Sequence, residues 1–166
     1  MDISVISLIL SVIALLVAVF VFFQLKNDTP DGSTATDFST RPLQLQAYER
    51  LVLLCERMAL PNLISRLSQP GFSAREMQVF LIETIKQEYE YNASQQIYVS
   101  QQAWDAVRNL RDQNMLLINS IAKSLGADAS ASELNRRIME SQIQEENAAL
   151  HTFATSTLNA EAKKIM

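Results

Sequence analysis

Two side chains in this 166-residue chain, His151 and Cys55, are of types that metal centres and nucleophilic enzymes use, and each is the single residue of its kind. A zinc site needs several Cys or His ligands, and His151 has no second histidine and no cysteine nearby in the chain. A catalytic cysteine needs a base, and Cys55 instead occupies a regular apolar position of a predicted helix. We therefore interpret His151 as a surface residue and Cys55 as a core residue.

Carboxylates and glycines add no catalytic pattern. Helical bundles build di-metal sites from glutamates and Glu-x-x-His pairs, and no such pair occurs, although Glu145 and Glu146 lie near His151. The three glycines lie too far apart for a phosphate-binding or dinucleotide-binding loop. Three other glutamates are predicted to form a solvated face: Glu83, Glu88 and Glu90. We expect no enzyme activity, catalytic residue, cofactor, metal or small-molecule substrate.

The charge distribution argues against nucleic acid as a partner. The chain has a net charge of −4, and setting aside Asp2 and Lys26 leaves 13 basic and 17 acidic residues after position 26. Lysines and arginines are scattered and never form a run longer than a pair. A polyanion-binding surface needs clustered positive charge, so neither nucleic acid nor anionic lipid is expected as the main partner of the soluble part.

The N-terminus predicts a transmembrane helix. Residues 3–23 contain no charge, and 16 of these 21 residues are Ile, Leu, Val or Phe. As a helix they would extend about 32 Å, close to the thickness of a hydrocarbon core. A cleaved signal peptide needs a basic start and a small-x-small cleavage site, and both are missing. Residues 1–26 are therefore predicted to be a retained anchor in the lipid bilayer.

Lys26 predicts the orientation of this anchor. It follows the apolar segment directly, whereas no lysine or arginine precedes that segment. Positive residues favour the cytoplasmic side of a membrane. The N-terminus is therefore expected outside and the soluble domain in the cytoplasm.

Small side chains follow one face of the predicted membrane helix at spacings of 3, 4, 3 and 4: Ser4, Ser7, Ser11, Ala14 and Ala18. Membrane helices associate where small residues let their backbones approach. This stripe predicts a helix–helix contact, either with a second copy or with another membrane protein subunit. The alternative is that serine and alanine are simply common in such helices, with each hydroxyl bonded to its own backbone.

The rest of the chain predicts a flexible tether and an all-α domain. Residues 27–40 are polar, contain Pro30 and Gly32, and have no apolar period. Residues 41–166 show helical periodicity with no strand pattern. Predicted helices begin at Thr40 or Pro42, at Ser73, at Ser100 and at Ser130, with a short helical piece over 62–67. We expect an antiparallel bundle of about four helices. The apolar spacing becomes loose after Gln142, which leaves an extended C-terminal helix as an alternative.

Two of the predicted helices that begin at a serine have the pattern of a capping box, Ser73 with Glu76 and Ser130 with Glu133.

Asn114 falls on the apolar face of its helix. A buried asparagine usually bonds a neighbouring backbone or fixes register, with a role in partner binding as the alternative.

Three segments resemble an uncharacterised family of single-pass membrane proteins from Bacteroidota: LQAYERLVLLCERMALPNLISRL (Leu45 to Leu67), QPGFSAREMQ (Gln69 to Gln78) and EYEYNASQQIYVSQQAWDAVRNLRDQ (Glu88 to Gln113). The resemblance covers about Leu43 to Ser141, and an N-terminal span followed by a polar tether fits it as well. It implies a bacterial inner-membrane location and an all-helical cytoplasmic domain. It implies no activity.

The third of these segments is rich in aromatic and polar residues, which are enriched at protein contact surfaces: Tyr89, Tyr91, Asn92, Tyr98 and Trp104. They form a possible partner surface. The alternative is that the rings cover the bundle core, with each polar tip bonded locally.

These features favour a non-enzymatic scaffold or adaptor subunit of an inner-membrane complex. One alternative is a homo-oligomeric structural membrane protein. Another is an enzyme or ligand sensor with a pocket inside the bundle, which would need a deep polar pocket with converging carboxylates.

Overall fold

The computed structural model describes residues 15, 17, 19, 20, 34–143 and 146–166. The chain divides into two compact units, Met1–Thr40 and Arg41–Met166. All five residues of the predicted small-residue stripe lie outside the described residues: Ser4, Ser7, Ser11, Ala14 and Ala18. Within the predicted span, the described residues Leu15, Val17, Val19 and Phe20 are helical and exposed. Across the described part of the chain, no helix combines the length and apolar character needed to cross a membrane.

The described residues confirm the all-α prediction. They form six α-helices and a short 3₁₀ helix, Ala93–Ile97: α1 Thr34–Met58, α2 Leu60–Leu67, α3 Ala74–Tyr91, α4 Gln101–Ser124, α5 Ala131–Ile143 and α6 Glu146–Ile165.

Two helix boundaries differ from those that the sequence predicts. Helix α1 begins at Thr34, inside the predicted tether 27–40, and passes through Pro42. A proline inside a helix removes one backbone donor, which a helix of 25 residues can tolerate. The single helix predicted after Ser130 is instead two helices, α5 and α6.

The predicted serine caps are present, and of the two predicted capping boxes the one at Ser73 has both of its bonds, whereas the one at Ser130 shows one bond among the described residues. Ser73 and Glu76 form the full capping box, and the Ser100 hydroxyl accepts a hydrogen bond from the Ala103 amide. The Ser130 hydroxyl accepts from the Glu133 amide at 3.3 Å. Ser73 and Ser130 also pair in an isolated antiparallel bridge, so the starts of α3 and α5 lie side by side.

The four long helices form an antiparallel bundle. Helices α3 and α4 run in opposite directions, because Gln78 bonds Asn119 while Tyr89 contacts Trp104. Helices α1 and α6 are also opposed, as paired positions far apart in the chain show: Tyr48 with Glu161 and Glu56 with His151. Arg57 joins α1 to α3 through Glu88. Four long helices of this topology agree with the prediction. Helix α2 matches the short helical piece predicted over 62–67, and α5 is the first part of the helix predicted after Ser130.

Helix α6 completes the core. Ala154 and Leu158 are fully buried, whereas Phe153, a predicted apolar position of this helix, is exposed. Phe153 is therefore not part of the apolar stripe that α6 presents to the core.

The corner between α1 and α2 is closed by side chains. Pro61 has no amide hydrogen, and three successive carbonyls at the end of α1 accept from side chains instead: Glu56 O from Asn62 Nδ2 at 3.0 Å, Arg57 O from Arg66 Nη2 at 3.0 Å, and Met58 O from Asn114 Nδ2 at 2.8 Å. These bonds satisfy groups that a helix end otherwise leaves open. The predicted backbone-bonding role of the buried Asn114 is confirmed.

Candidate partner-binding surface

The five residues of the predicted aromatic surface do not share one environment. Trp104 and Asn92 are buried, with 6 % and 7 % of their surface exposed, and Tyr89 and Tyr98 are half-buried. Tyr91 is 76 % exposed. The predicted surface is therefore divided into an inner part and an outer part.

The inner part is a stack of three side chains, Tyr89, Trp104 and Arg111, which we name the Trp104 stack. The Tyr89 and Trp104 ring centroids lie 5.1 Å apart at an interplanar angle of 35°. The Arg111 guanidinium carbon lies 4.0 Å from the Tyr89 ring centroid, in cation–π geometry. Burial raises the pKa of the Tyr89 hydroxyl, although the positive charge of Arg111 acts in the opposite direction. These rings cover the core and join α3 to α4.

Asn92 also has an internal role. Its side-chain amide donates to the Glu88 carbonyl at 2.9 Å, and its backbone amide donates to the Tyr89 carbonyl at 3.1 Å. It therefore ends α3 and leads the chain into the 3₁₀ helix, as expected for an asparagine that bonds local backbone.

The outer part is a groove between α1 and the end of α3, which we name the Tyr91 groove after its most exposed member. It has a volume of about 450 Å³, and its main lining residues are Arg50, Leu53, Arg57, Glu88 and Tyr91. Leu53 is 61 % exposed and adds apolar surface to the groove beside Tyr91.

Glu88 holds the floor of the Tyr91 groove in place. Arg57 Nε donates to Glu88 Oε1 at 2.8 Å, and Arg66 Nη1 lies 3.7 Å from the same oxygen. The Glu88 side chain is only 14 % exposed, so the prediction that it belongs to a solvated face is wrong. This pairing raises the pKa of Arg57 and fixes its guanidinium at the groove wall. Arginine and tyrosine are both enriched among the residues that dominate binding at protein interfaces, and an arginine that is already positioned loses less conformational entropy on binding.

A second apolar surface lies at the start of α3, and we name it the Phe80 patch: Phe72, Val79 and Phe80, all exposed. The two phenylalanine rings meet edge to face, with centroids 6.2 Å apart. The sequence places Phe80 on the core face of α3. In the structure Met77, Leu81 and Ile85, spaced by four residues, occupy that face and leave Phe80 at its edge.

A polar cavity of about 270 Å³ lies beside the α1–α2 corner, with Glu56, Asn62, Gln142 and His151 among its lining residues. His151 Nε2 is 3.3 Å from Glu56 Oε1. Among the described lining residues Glu56 is the one carboxylate, so the cavity lacks the converging carboxylates that a bundle enzyme would need. His151 lines this cavity half-buried, rather than lying on the open surface.

Potential metal ligands and nucleophiles are otherwise dispersed. No group of three His, Cys, Asp or Glu side chains within the described ranges could hold a metal ion. Cys55 is buried, and burial raises the pKa of its thiol to about 12. The thiol therefore stays protonated at neutral pH, as expected for a core cysteine.

Among known proteins, the chain matches one family model. No curated protein and no solved structure matches the chain significantly. A family model, described as a family of unknown function, matches residues 2–165. That description names neither a membrane nor a bacterial group, so both stay predictions. Because the match covers nearly the whole chain, the protein belongs to DUF7935, a family of unknown function with a helical domain.

Proposed function

We propose that this protein is a non-enzymatic, single-pass membrane scaffold or adaptor, which binds a partner protein through the Tyr91 groove. The observation that carries the proposal is the groove itself, where Tyr91 and Leu53 are exposed beside the fixed guanidinium of Arg57. Tyrosine and arginine are the residues that most often dominate binding energy at protein interfaces.

The construction of the groove supports a protein partner. Its walls are two packed helices, and Arg57 is already held by Glu88, so binding would order few additional side chains. Its volume of about 450 Å³ is spread along an open surface between the two helices. An open groove suits a helix or an extended segment of another protein better than a small molecule, which binds in enclosed pockets.

The membrane part of the proposal rests on the sequence. The uncharged segment 3–23 would hold the chain in a bacterial inner membrane with the bundle in the cytoplasm. Its small-residue stripe would contact a partner's membrane helix or a second copy. The second copy is the basis of the alternative function, a homo-oligomeric structural protein.

Photo-crosslinking in native membranes tests the proposal. A photoreactive amino acid is placed at Tyr91 or at Leu53 of the full-length chain, and at Leu116 as a control. Leu116 is 60 % exposed but lies on α4, away from the groove. We expect adducts with a different membrane protein at the two groove positions and few at the control.

The adducts are identified by mass spectrometry after purification in mild detergent. If the chain forms adducts only with itself, the adaptor function is contradicted and the homo-oligomeric structural protein is supported instead. Equal labelling at Tyr91, Leu53 and Leu116 would contradict the groove as a binding surface.

A further inference from the structure

The scattered lysines and arginines of the sequence predict no anionic lipid as the main partner of the soluble part, but the fold brings three of them together at one end of the bundle. With two apolar neighbours they form what we name the Arg41 end: Arg41, Leu43, Lys163, Lys164 and Met166. Tyr48 Oη donates to Glu161 Oε2 at 2.8 Å, so the last turn of α6 lies beside the first turns of the bundle part of α1. Leu45, Lys163 and Met166 line one groove between the two helices. Arg41 precedes Leu45 by one helical turn.

The described charged side chains at this end are three basic ones and two carboxylates, Glu49 and Glu161, so positive charge is in slight excess. Arg41, Lys163 and Lys164 are exposed, whereas the carboxylate of Glu161 is held by two hydroxyl groups. Tyr48 and Ser100 donate to its two oxygens, each at 2.8 Å. The nearest other acidic side chain that lines the groove is Glu49. Residues 27–40 contain three aspartates and no lysine or arginine, so attraction to an anionic surface has to come from the bundle.

Apolar side chains accompany these charges. Leu43 and Met166 are exposed, and the adjacent groove of about 500 Å³ includes Leu45, Val52 and Ala162. Exposed basic residues mixed with exposed aliphatic ones are typical of surfaces that lie in the headgroup region of a bilayer. Arg41 is the first residue of the unit that contains the bundle, and it lies 18 positions after Phe23, where the predicted span ends.

We propose that the Arg41 end rests on anionic lipid headgroups, with Arg41, Lys163 and Lys164 contacting phosphates while Leu43 and Met166 enter the interface. The inference rests on the membrane anchoring in the proposed function. It assigns the bundle a fixed orientation, in which the Phe80 patch, at the start of α3, points away from the bilayer. The bundle is long enough to keep its two ends apart. Along α4, Leu116 lies about 24 Å from Ser100, the residue that contacts Glu161 at the Arg41 end.

Fluorescence quenching in proteoliposomes tests this orientation. Full-length Leu43→Cys, Met166→Cys and, as a control, Leu116→Cys variants are labelled with bimane and reconstituted in phosphatidylcholine–phosphatidylglycerol vesicles that contain a lipid with a shallow spin label. Cys55 is buried with a raised thiol pKa, so it stays unlabelled. We expect at least threefold more quenching at positions 43 and 166 than at 116. Adding Lys163→Glu and Lys164→Glu, or omitting phosphatidylglycerol, reduces it to the control level.

Carbonate extraction separates the two proposals. Equal quenching at all three positions in a chain that resists extraction overturns the orientation alone. A chain that carbonate removes from the vesicles overturns the anchor and, with it, the orientation. Strong quenching that survives both the charge reversals and the omission of phosphatidylglycerol also overturns the proposed headgroup contact.

Discussion

Tyr89 and Tyr91 are two residues apart near the end of α3, and they lie on different sides of that helix. Tyr89 faces α4, where Trp104 stacks on it and Arg111 covers its ring. Tyr91 faces α1, is 76 % exposed, and lines a groove with Leu53 and Arg57. Residues two apart on a helix are separated by about 200°, so one residue type serves the core at one position and the surface at the other.

The difference lies in what the neighbouring helix supplies. Helix α4 offers a large ring and a cation, which close over Tyr89 and make an internal joint. Helix α1 offers a leucine and an arginine that is already paired with Glu88, and no ring covers Tyr91 among the described residues. The Trp104 stack therefore stabilises the fold, while the Tyr91 groove leaves apolar area exposed to solvent. Substitutions on the two sides are expected to differ in kind.

Trp104→Ala should have the largest effect on stability. Truncating a buried tryptophan removes apolar contacts and leaves a cavity, which costs about 3–5 kcal/mol in free energy of unfolding. Urea unfolding of the full-length chain in mild detergent, followed by circular dichroism, measures the loss. Trp104→Phe keeps most of the volume and should lose less. A loss below about 1 kcal/mol for the alanine variant would contradict the internal role of the Trp104 stack.

Asn114→Ala tests how α1, which carries Leu53, is held against α4. The substitution leaves the Met58 carbonyl without its side-chain donor, and a buried unsatisfied group costs about 1–3 kcal/mol. The same unfolding measurement applies. Asn109→Ala is the matched control, because Asn109 is exposed on the same helix and its removal should change stability by less than about 0.5 kcal/mol. Equal losses of unfolding free energy for the two variants would contradict a specific role for the hydrogen bond from Asn114 to the Met58 carbonyl.

Arg111→Gln should have a smaller effect, because it removes a cation from a partly exposed ring. We expect a loss of about 0.5–1 kcal/mol in free energy of unfolding. Arg108→Gln is the control, since Arg108 lies one turn earlier and pairs with a carboxylate but has no recorded ring contact. In a Tyr89→Leu background the Arg111 substitution should lose most of its effect. An unchanged effect in that background would show that the ring contact contributes nothing.

Tyr91→Ala should have the smallest effect on folding and a large effect on binding. An exposed side chain of this kind contributes within about 0.5 kcal/mol to stability. If the groove binds a partner, recovery of that partner in a detergent pull-down should fall at least tenfold. Glu90→Ala, at an exposed position next to Tyr91 on the same helix, should leave recovery unchanged. A destabilisation comparable with that of Trp104→Ala would show that Tyr91 belongs to the core instead.

Local patterns in the sequence predicted much of the fold. The Ser73 capping box and the Ser100 cap are determined within four residues, so they could be identified without tertiary information. Asn114 was identifiable as buried because it interrupts an apolar stripe. That α5 and α6 are two separate helices was not identifiable, since no proline or glycine lies between Ala131 and Ile165.

The division of the aromatic segment was also beyond the sequence. Tyr89, Tyr91 and Trp104 share a short stretch of chain, and nothing local indicates which of them another helix will cover. The same limit applied to Phe80, which periodicity placed on the core face. Its exposure depends on the angle at which neighbouring helices cross α3.

The sequence by itself determined the all-α class, the serine-capped starts of α3, α4 and α5, the absence of a recognisable catalytic motif and the prediction of an N-terminal membrane span, because these depend on composition and on spacings within a few turns. Only the tertiary structure decided that Arg57 and Glu88 meet, that Lys163 lies beside Leu45, and that Tyr91 stays exposed. The physical reason is distance along the chain. Helix packing joins side chains 31 to 118 positions apart, and their pairing depends on helix direction and register, which no local pattern contains.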